Sequence, residues 1–224
     1  MFKQSHGITD EQLKEHITCP APFIVECGCH DGRDTVRFLD LFPDCRVVCF
    51  EPDPRPLTRH NPPGFHDRVG YDQRVTLYEL AVGCAEQYRV LYRSSGTPPN
   101  KSVTDWDHSS SLQKPTKHLT SSPWCTFPAE KVMAVPSVPL DSILVEQFSS
   151  RPIDLLWVDV QGGQVDLIRG AERSLRTTQL IYMECHKTPM YEGEPTQEEL
   201  LELLPGFEPL GLFEGYNFLL RNKS

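Results

Sequence analysis

Four short apolar runs set the frame of this chain: PFIVEC (22–27), RVVCF (46–50), IDLLWVDV (153–160) and LIYMEC (180–185). Their hydrophobicity is near-continuous rather than alternating, the pattern of strands covered on both faces, as in a parallel sheet. Helical patterns lie between them. GRDTVRFLDLF spaces Val36, Leu39 and Phe42 three apart, and GQVDLIRGAERSL puts Val165, Ile168, Ala171 and Leu175 on one stripe. Alternating strands and helices predict an α/β fold, with a mostly parallel central sheet and helices on both faces. RVTLYELAV (74–82), QYRVLYR (87–93) and KVMAVPSV (131–138) add β candidates, and FEPLGLFE with GYNFLLR predicts an antiparallel hairpin around Gly215. At 224 residues and 38% hydrophobic content, one domain over 1–224 accounts for the length.

The stretch 94–130 breaks the rhythm: it is rich in Ser, Thr, Pro, Lys and His and has no sustained period. So long an irregular segment within one domain is either functional or disordered; it reads as a lid or substrate loop ahead of plain disorder, because Trp106 and Trp124 need somewhere to pack. A net charge of −9 disfavours a nucleic-acid partner, whose phosphates call for cationic surface. The first residues carry no signal-like apolar core, and no run approaches the roughly 18 apolar residues of a membrane span. The expectation is a soluble, cytoplasmic protein. Eight cysteines sit mostly inside apolar runs with no CxxC pair, so a disulfide framework is not expected.

The first apolar run ends in VECGCHDG (25–32), an acidic residue and two glycines ahead of a helix. Beyond the carboxyl end of a strand, glycine lets backbone approach a ligand without a Cβ in the way. The spacing is Gly28-x-x-x-Gly32 rather than the GxGxxG of diphosphate binding, which ranks a nicotinamide-dependent dehydrogenase low. Glu51 closes the next strand nineteen positions after Gly32 (51 − 32), where a carboxylate commonly holds a ribose diol. Together these features predict nucleoside-type binding. Cys27, Cys29 and His30 also suggest a zinc box, but no second ligand cluster at finger spacing exists, and small packing cysteines are the stronger alternative.

Taken in order, ECGCHDG (26–32), EPDP (51–54), AVG (81–83), SSSL (109–112), VPSVPLD (135–141), DVQGGQVDLIRGA (159–171) and MECH (183–186) resemble the FkbM-type family, a branch of the class I S-adenosylmethionine-dependent methyltransferases. Members of that family read D-x-G-A-N-x-G, E-P-x-P, A-V-G, Ser-Ser-Ser-Leu, V-x-x-x-x-L-D and D-V-E/Q-G-x-E. The resemblance implies a Rossmann-like fold, S-adenosyl-L-methionine as cofactor, and O-methylation of a sugar, glycan or small natural product. It places Glu26, Gly28, His30 and Gly32 around the methionine end of the cofactor, Glu51 on the ribose, and Asp53, Ala81 and Val82 near the adenine. Core packing is the alternative for Ala81 and Val82. Glu26 stands for the usual Asp and His30 for Asn; Gln161 is shared by some members, while Gln164 replaces a usual Glu. The two glutamines motivate an alternative, a catalytically silent cofactor-binding module of the same fold. A ribose 2′-O nucleic-acid methyltransferase fits less well, because no lysine falls on the strand tips and Trp157 stands where many members have lysine.

Transfer of a methyl group to a hydroxyl needs donor and acceptor in line, and a base for the hydroxyl proton. Asp159, at the tip of LLWVDV, is the leading base; its other reading is an N-cap for the following helix. Glu184 and His186 end the adjacent strand and share a face in alternating geometry. His186 suits acid–base work or a structural hydrogen bond. Asp159 and Glu184 could also hold a divalent cation, a reading not favoured because two carboxylates make a thin site. Ser110, Ser111 and Lys114, in HSSSLQKPTKH, are candidate contacts to a polyhydroxylated acceptor, or part of a solvated loop.

Overall fold

The computed structural model describes residues 7–101, 103–149 and 151–224. A capping box opens the first helix: the Thr9 hydroxyl accepts from the Gln12 backbone N–H, and the Gln12 side chain accepts from the Thr9 N–H. The elements then run α1 (Asp10–His16), β1 (Phe23–Cys27), α2 (Arg33–Leu41), β2 (Arg46–Phe50), α3 (Pro54–Thr58), α4 (Phe65–Val69), β3 (Val75–Tyr78), β4 (Ala81–Gly83) and β5 (Gln87–Leu91). After the irregular segment with its short α5 (His118–Ser121) come β6 (Met133–Pro139), α6 (Leu140–Phe148), β7 (Ile153–Val158), α7 (Gln164–Gly170), α8 (Glu172–Leu175), β8 (Thr178–Glu184), α9 (Gln197–Leu203), β9 (Phe207–Phe213) and β10 (Asn217–Asn222).

Seven strands form the main sheet in the order β3-β2-β1-β7-β8-β10-β9. All pairings from β3 to β8 are parallel, and β10 runs antiparallel to both its neighbours. The sequence-predicted α/β fold with its antiparallel finish is the fold observed. Continuous hydrophobicity in the central strands has the expected cause. Phe23, Val25 and Cys27 of β1 join one apolar cluster with Leu156 and Val158 of β7, while Ile24 joins Leu155 and Trp157 in a second cluster. Helix α2 covers the second cluster with Phe38 and Leu39, and α7 covers the first with Leu167 and Ile168.

Three details depart from the sequence reading. RVTLYELAV is not one strand: β3 ends at Tyr78 on the edge of the main sheet, and β4 pairs with β6 in a separate sheet ordered β4-β6-β5. The buried stripe of α2 runs through Thr35, Phe38 and Leu39 rather than Val36, because the Thr35 hydroxyl reaches in to Glu26 (2.6 Å). In α7 the inward positions are Gln164, Leu167 and Ile168, with Val165 only half-buried.

Strand order reverses between β1 and β7, so the crossovers leave on opposite faces and a crevice opens above those two strand tips. The tips are tightly joined. The Asp159 N–H donates to the Cys27 carbonyl (2.9 Å), and the Gly28 N–H donates to the Phe50 carbonyl (2.8 Å). Gly28 has φ +89°, and a Cβ there would lie 1.9 Å from the Asp159 carbonyl oxygen. The irregular segment is pinned over this crevice by bridges Tyr92–Ser111, Ser95–Thr126 and Pro115–Tyr191 and by Trp106 packed edge-on against Trp124 (5.2 Å). Among the described residues, no helix is long and apolar enough to cross a membrane.

Candidate active site

Above the tips of β1, β2 and β4 lies an apolar slot lined by Phe50, Leu80, Ala81, Val82, Leu91 and Leu112, with Gly28 and Glu51 at its polar side. Glu51 is fixed by the turn itself: its Oε2 accepts from the His30 backbone N–H (3.0 Å) and its Oε1 from the Asp53 N–H (2.8 Å). Burial pushes the Glu51 carboxyl up to about 7, only partly countered by the nearby charge of His30 and by these hydrogen bonds. Each carboxylate oxygen keeps a lone pair for a further donor.

A wider cleft continues from the slot and is lined by His30, Trp106, His108, Asp159, Gln161, Glu184, His186 and Tyr216, among others. At its floor one amide joins two carboxylates: the Gln161 Nε2 donates to Asp159 Oδ1 (2.5 Å) and to Glu184 Oε2 (2.9 Å). Tyr191 in turn donates its hydroxyl to Gln161 Oε1 (3.0 Å), and Ser111 donates to the Gln161 carbonyl (2.5 Å). Burial, and then the Asp159 charge, raise the Glu184 carboxyl well above its usual range. A cation bridging the two carboxylates would have to displace the Gln161 amide. His186 sits at the edge, its Nδ1 3.1 Å from Glu194 Oε1, its Nε2 3.8 Å from Glu184 Oε1, and its ring stacked on Tyr216.

On the other wall, Asp107 of the irregular segment meets the glycine turn. His30 Nε2 lies 2.9 Å from Asp107 Oδ1, and Arg59 pairs with both Asp107 and Asp31. Burial opposes a charge on His30, but the hydrogen bonds to Asp107 and Asp31 outweigh it and raise its pKa to about 9. Asp53 is turned away from the slot. It caps α3 through the Arg55 N–H (3.1 Å), takes the Arg55 guanidinium, and accepts from the Ser110 hydroxyl (2.9 Å), which docks the segment on the β2 tip.

The geometry thus brings Gly28, His30, Glu51, Ala81, Val82, Ser110, Ser111, Asp159, Glu184 and His186 to the two connected clefts. Four candidate residues line neither cleft. Glu26 points beneath the turn to Thr35 and Cys49, where burial keeps its carboxyl well above the usual range, because alternation on β1 puts it on the α2 side. Gly32 is a packing glycine, since a Cβ there would meet Phe65 and Val69. Asp53 serves Arg55 and the segment. Lys114 is exposed and outside both clefts. Ser111 lines the slot, but its hydroxyl is already engaged by the Gln161 carbonyl and the Gln113 N–H. Asp159 does not cap α7, whose N-cap Gly163 offers no side-chain bond. Cys27 and Cys29 fall into separate apolar clusters, so the Cys–Cys–His box is not assembled. Sequence reasoning missed Arg59, Asp107 and Tyr191; the one available signal was the charged WDH placed directly before the serine run.

Known proteins resemble this chain. The model of the methyltransferase FkbM domain matches residues 26–218. The 2-O-methyltransferase NoeI of Sinorhizobium fredii (strain NBRC 101917 / NGR234) is 36% identical over 215 residues, covering 94% of this chain and 84% of that protein. The crystal structure of methyltransferase FkbM from Methylobacillus flagellatus KT superposes with a TM-score of 0.51 at 13% identity, over 91% of this chain and 44% of that one. That solved chain is therefore more than twice as long as the part shared, and the likeness to it is one of fold. With a family match spanning nearly the whole sequence and a relative at this identity, the chain belongs to the FkbM family of methyltransferases.

Proposed function

We propose that the protein is an S-adenosyl-L-methionine-dependent O-methyltransferase acting on a hydroxyl of a sugar, glycan or small natural product. The residues fit the cofactor: the slot offers an apolar bed for a planar base, and Glu51 presents lone pairs at its side for a ribose diol. Ala81, Val82, Leu80 and Leu112 would hold the base, Glu51 the ribose, and Gly28 and His30 the amino-acid end. When bound, the cofactor supplies an electrophilic methyl group on a sulfonium.

The observation that carries the reading is the Asp159–Gln161–Glu184 unit beside that slot. A hydroxyl attacking carbon becomes strongly acidic as the bond forms, and Asp159 is placed to take its proton. Glu184, held neutral, can donate a hydrogen bond to the same acceptor, and Gln161 keeps both carboxyl groups in register. His186 stands one step outward, paired with Glu194, as a route for the proton to solvent. The aromatic faces of Trp106 and Tyr216 suit the apolar face of a sugar ring, with polar groups between them for its hydroxyls. The name of the NoeI relative, a 2-O-methyltransferase, supports oxygen as the acceptor atom. In this reading the chain works as one domain and segment 94–130, through Ser110 and Trp106, forms the lid over both clefts.

Calorimetric titration with S-adenosylhomocysteine, beside Glu51→Ala and an NAD control, tests the cofactor; transfer of labelled methyl to a panel of sugars and glycans tests the acceptor. Binding of the homocysteine ligand alone, lost in Glu51→Ala, followed by label in a carbohydrate, is expected. No binding would refute the cofactor slot, and binding without transfer to any hydroxyl compound would favour a silent module.

A further inference from the structure

We propose that His30, Asp107 and His108 form a binding site for one divalent transition-metal ion of the zinc class on the wall of the wide cleft. Their donor atoms lie within 4.8 Å of one another. His30 Nε2 is 2.9 Å and His108 Nε2 3.7 Å from the same Asp107 Oδ1, so both imidazole edges converge on one oxygen. Around a tetrahedral zinc ion with bonds of about 2.0–2.1 Å, neighbouring donors sit roughly 3.4 Å apart, a value these two separations bracket. The rings lie 4.0 Å apart at a tilt of 34°, which lets both face the same point with small rotations.

The surroundings are those that a ligand set needs. Asp31 Oδ1 lies 3.7 Å from His30 Nδ1, on the far side of the ring, where a carboxylate holds the Nδ1 proton while the ion displaces the one on Nε2, which is released to solvent. Arg59 occupies the other oxygen of Asp107 and so aims Oδ1 at the imidazoles. Trp106 packs against the His108 ring at 4.5 Å and shields that side. Two imidazoles and one carboxylate select zinc-like ions over magnesium or calcium, which take oxygen donors. Three protein ligands leave a fourth position, and because His30 and His108 both line the wide cleft that position opens onto it. The ion would join the glycine turn to the irregular segment. It is separate from the Asp159–Glu184 pair and from the buried cysteines, and its binding does not depend on methyl transfer.

Co2+ is the probe: the chelator-stripped protein is titrated with it while the visible d–d absorption is followed, and Zn2+ is then added as competitor. One Co2+ per chain is expected, with an intense low-symmetry band that Zn2+ abolishes. His108→Ala and Asp107→Asn should lose the band while keeping the native circular dichroism, and Asp159→Asn should keep it. Asp31→Asn, which leaves all three ligands in place, should weaken binding by about 10–100-fold. That variant decides the matter should His108→Ala fail to fold. No band with the wild type, a band that survives His108→Ala, affinity unchanged in Asp31→Asn, or loss in Asp159→Asn with retention in His108→Ala would each overturn the assignment.

Discussion

Replacing Gly28 by alanine tests how the cofactor turn is built. Two effects act at once. The backbone at φ +89° is disfavoured for a residue with a Cβ by about 1–2 kcal/mol. The added carbon would also fall 1.9 Å from the Asp159 carbonyl oxygen, a backbone atom held in the β1–β7 ladder that cannot rotate aside. Relieving such an overlap in a packed interior costs about 1–3 kcal/mol. Gly215, at the tip of the β9–β10 hairpin, isolates the first effect: its φ is +81°, yet a Cβ there meets nothing within 4 Å. At about 2–4 °C per kcal/mol for a chain of this size, a loss of about 3 kcal/mol in Gly28→Ala lowers Tm by about 6–12 °C. A loss of about 1 kcal/mol in Gly215→Ala lowers it by about 2–4 °C. Thermal melts of both variants beside the wild type, read by circular dichroism, make the comparison. Equal drops would refute the claim that the strand tips, rather than backbone conformation alone, demand glycine at position 28.

Three further outcomes follow from the site. Gln161→Leu removes the amide between Asp159 and Glu184; with hydrogen bonds to charged groups near 1.5–3 kcal/mol, kcat should fall about 10–100-fold while cofactor affinity, measured by calorimetry, holds. Glu26 is buried with its carboxyl raised well above 4.5, so it stays protonated in the folded chain and ionises on unfolding. Its contribution is therefore complete below the unfolded pKa and is lost as pH rises through the folded one. Denaturation from pH 4 to 9 should show that decline in the wild type and a flatter profile in Glu26→Gln; parallel profiles would count against a neutral Glu26. Lys114→Ala should leave both stability and methyl transfer within about 0.5 kcal/mol of wild type, and a large drop in transfer would return Lys114 to the acceptor site.

The sheet was legible because burial on both faces writes itself as unbroken apolar runs, and the cofactor turn because glycine and Glu51 occupy fixed offsets from strand ends. The tips of β7 and β8 were legible for the same reason, which groups Asp159, Glu184 and His186 as strand-end residues. What escaped was orientation. Alternation alone could have turned Glu26 toward α2, but its place in a motif argued the other way. Asp53 sits two residues beyond Glu51, yet its partner is Arg55, and only the packing of Ser110 on both shows that they dock the segment. Aperiodic chain has no face to read, so Asp107 and its contacts with His30 and Arg59 had no signature beyond a charge among serines.

Gln161 also fixes how many exchangeable protons the floor of the cleft must carry. Its nitrogen brings two hydrogens that no pH can remove, one for Asp159 and one for Glu184, while its oxygen is free to accept from Tyr191. A glutamate there, the residue the family motif admits as an alternative, would set three carboxyl groups side by side and require at least one more proton to hold them together. The two versions of the motif therefore differ in proton stoichiometry rather than in shape. In the glutamine version the two amide hydrogen bonds persist into alkaline solution, where a glutamate version must give up the proton that binds it.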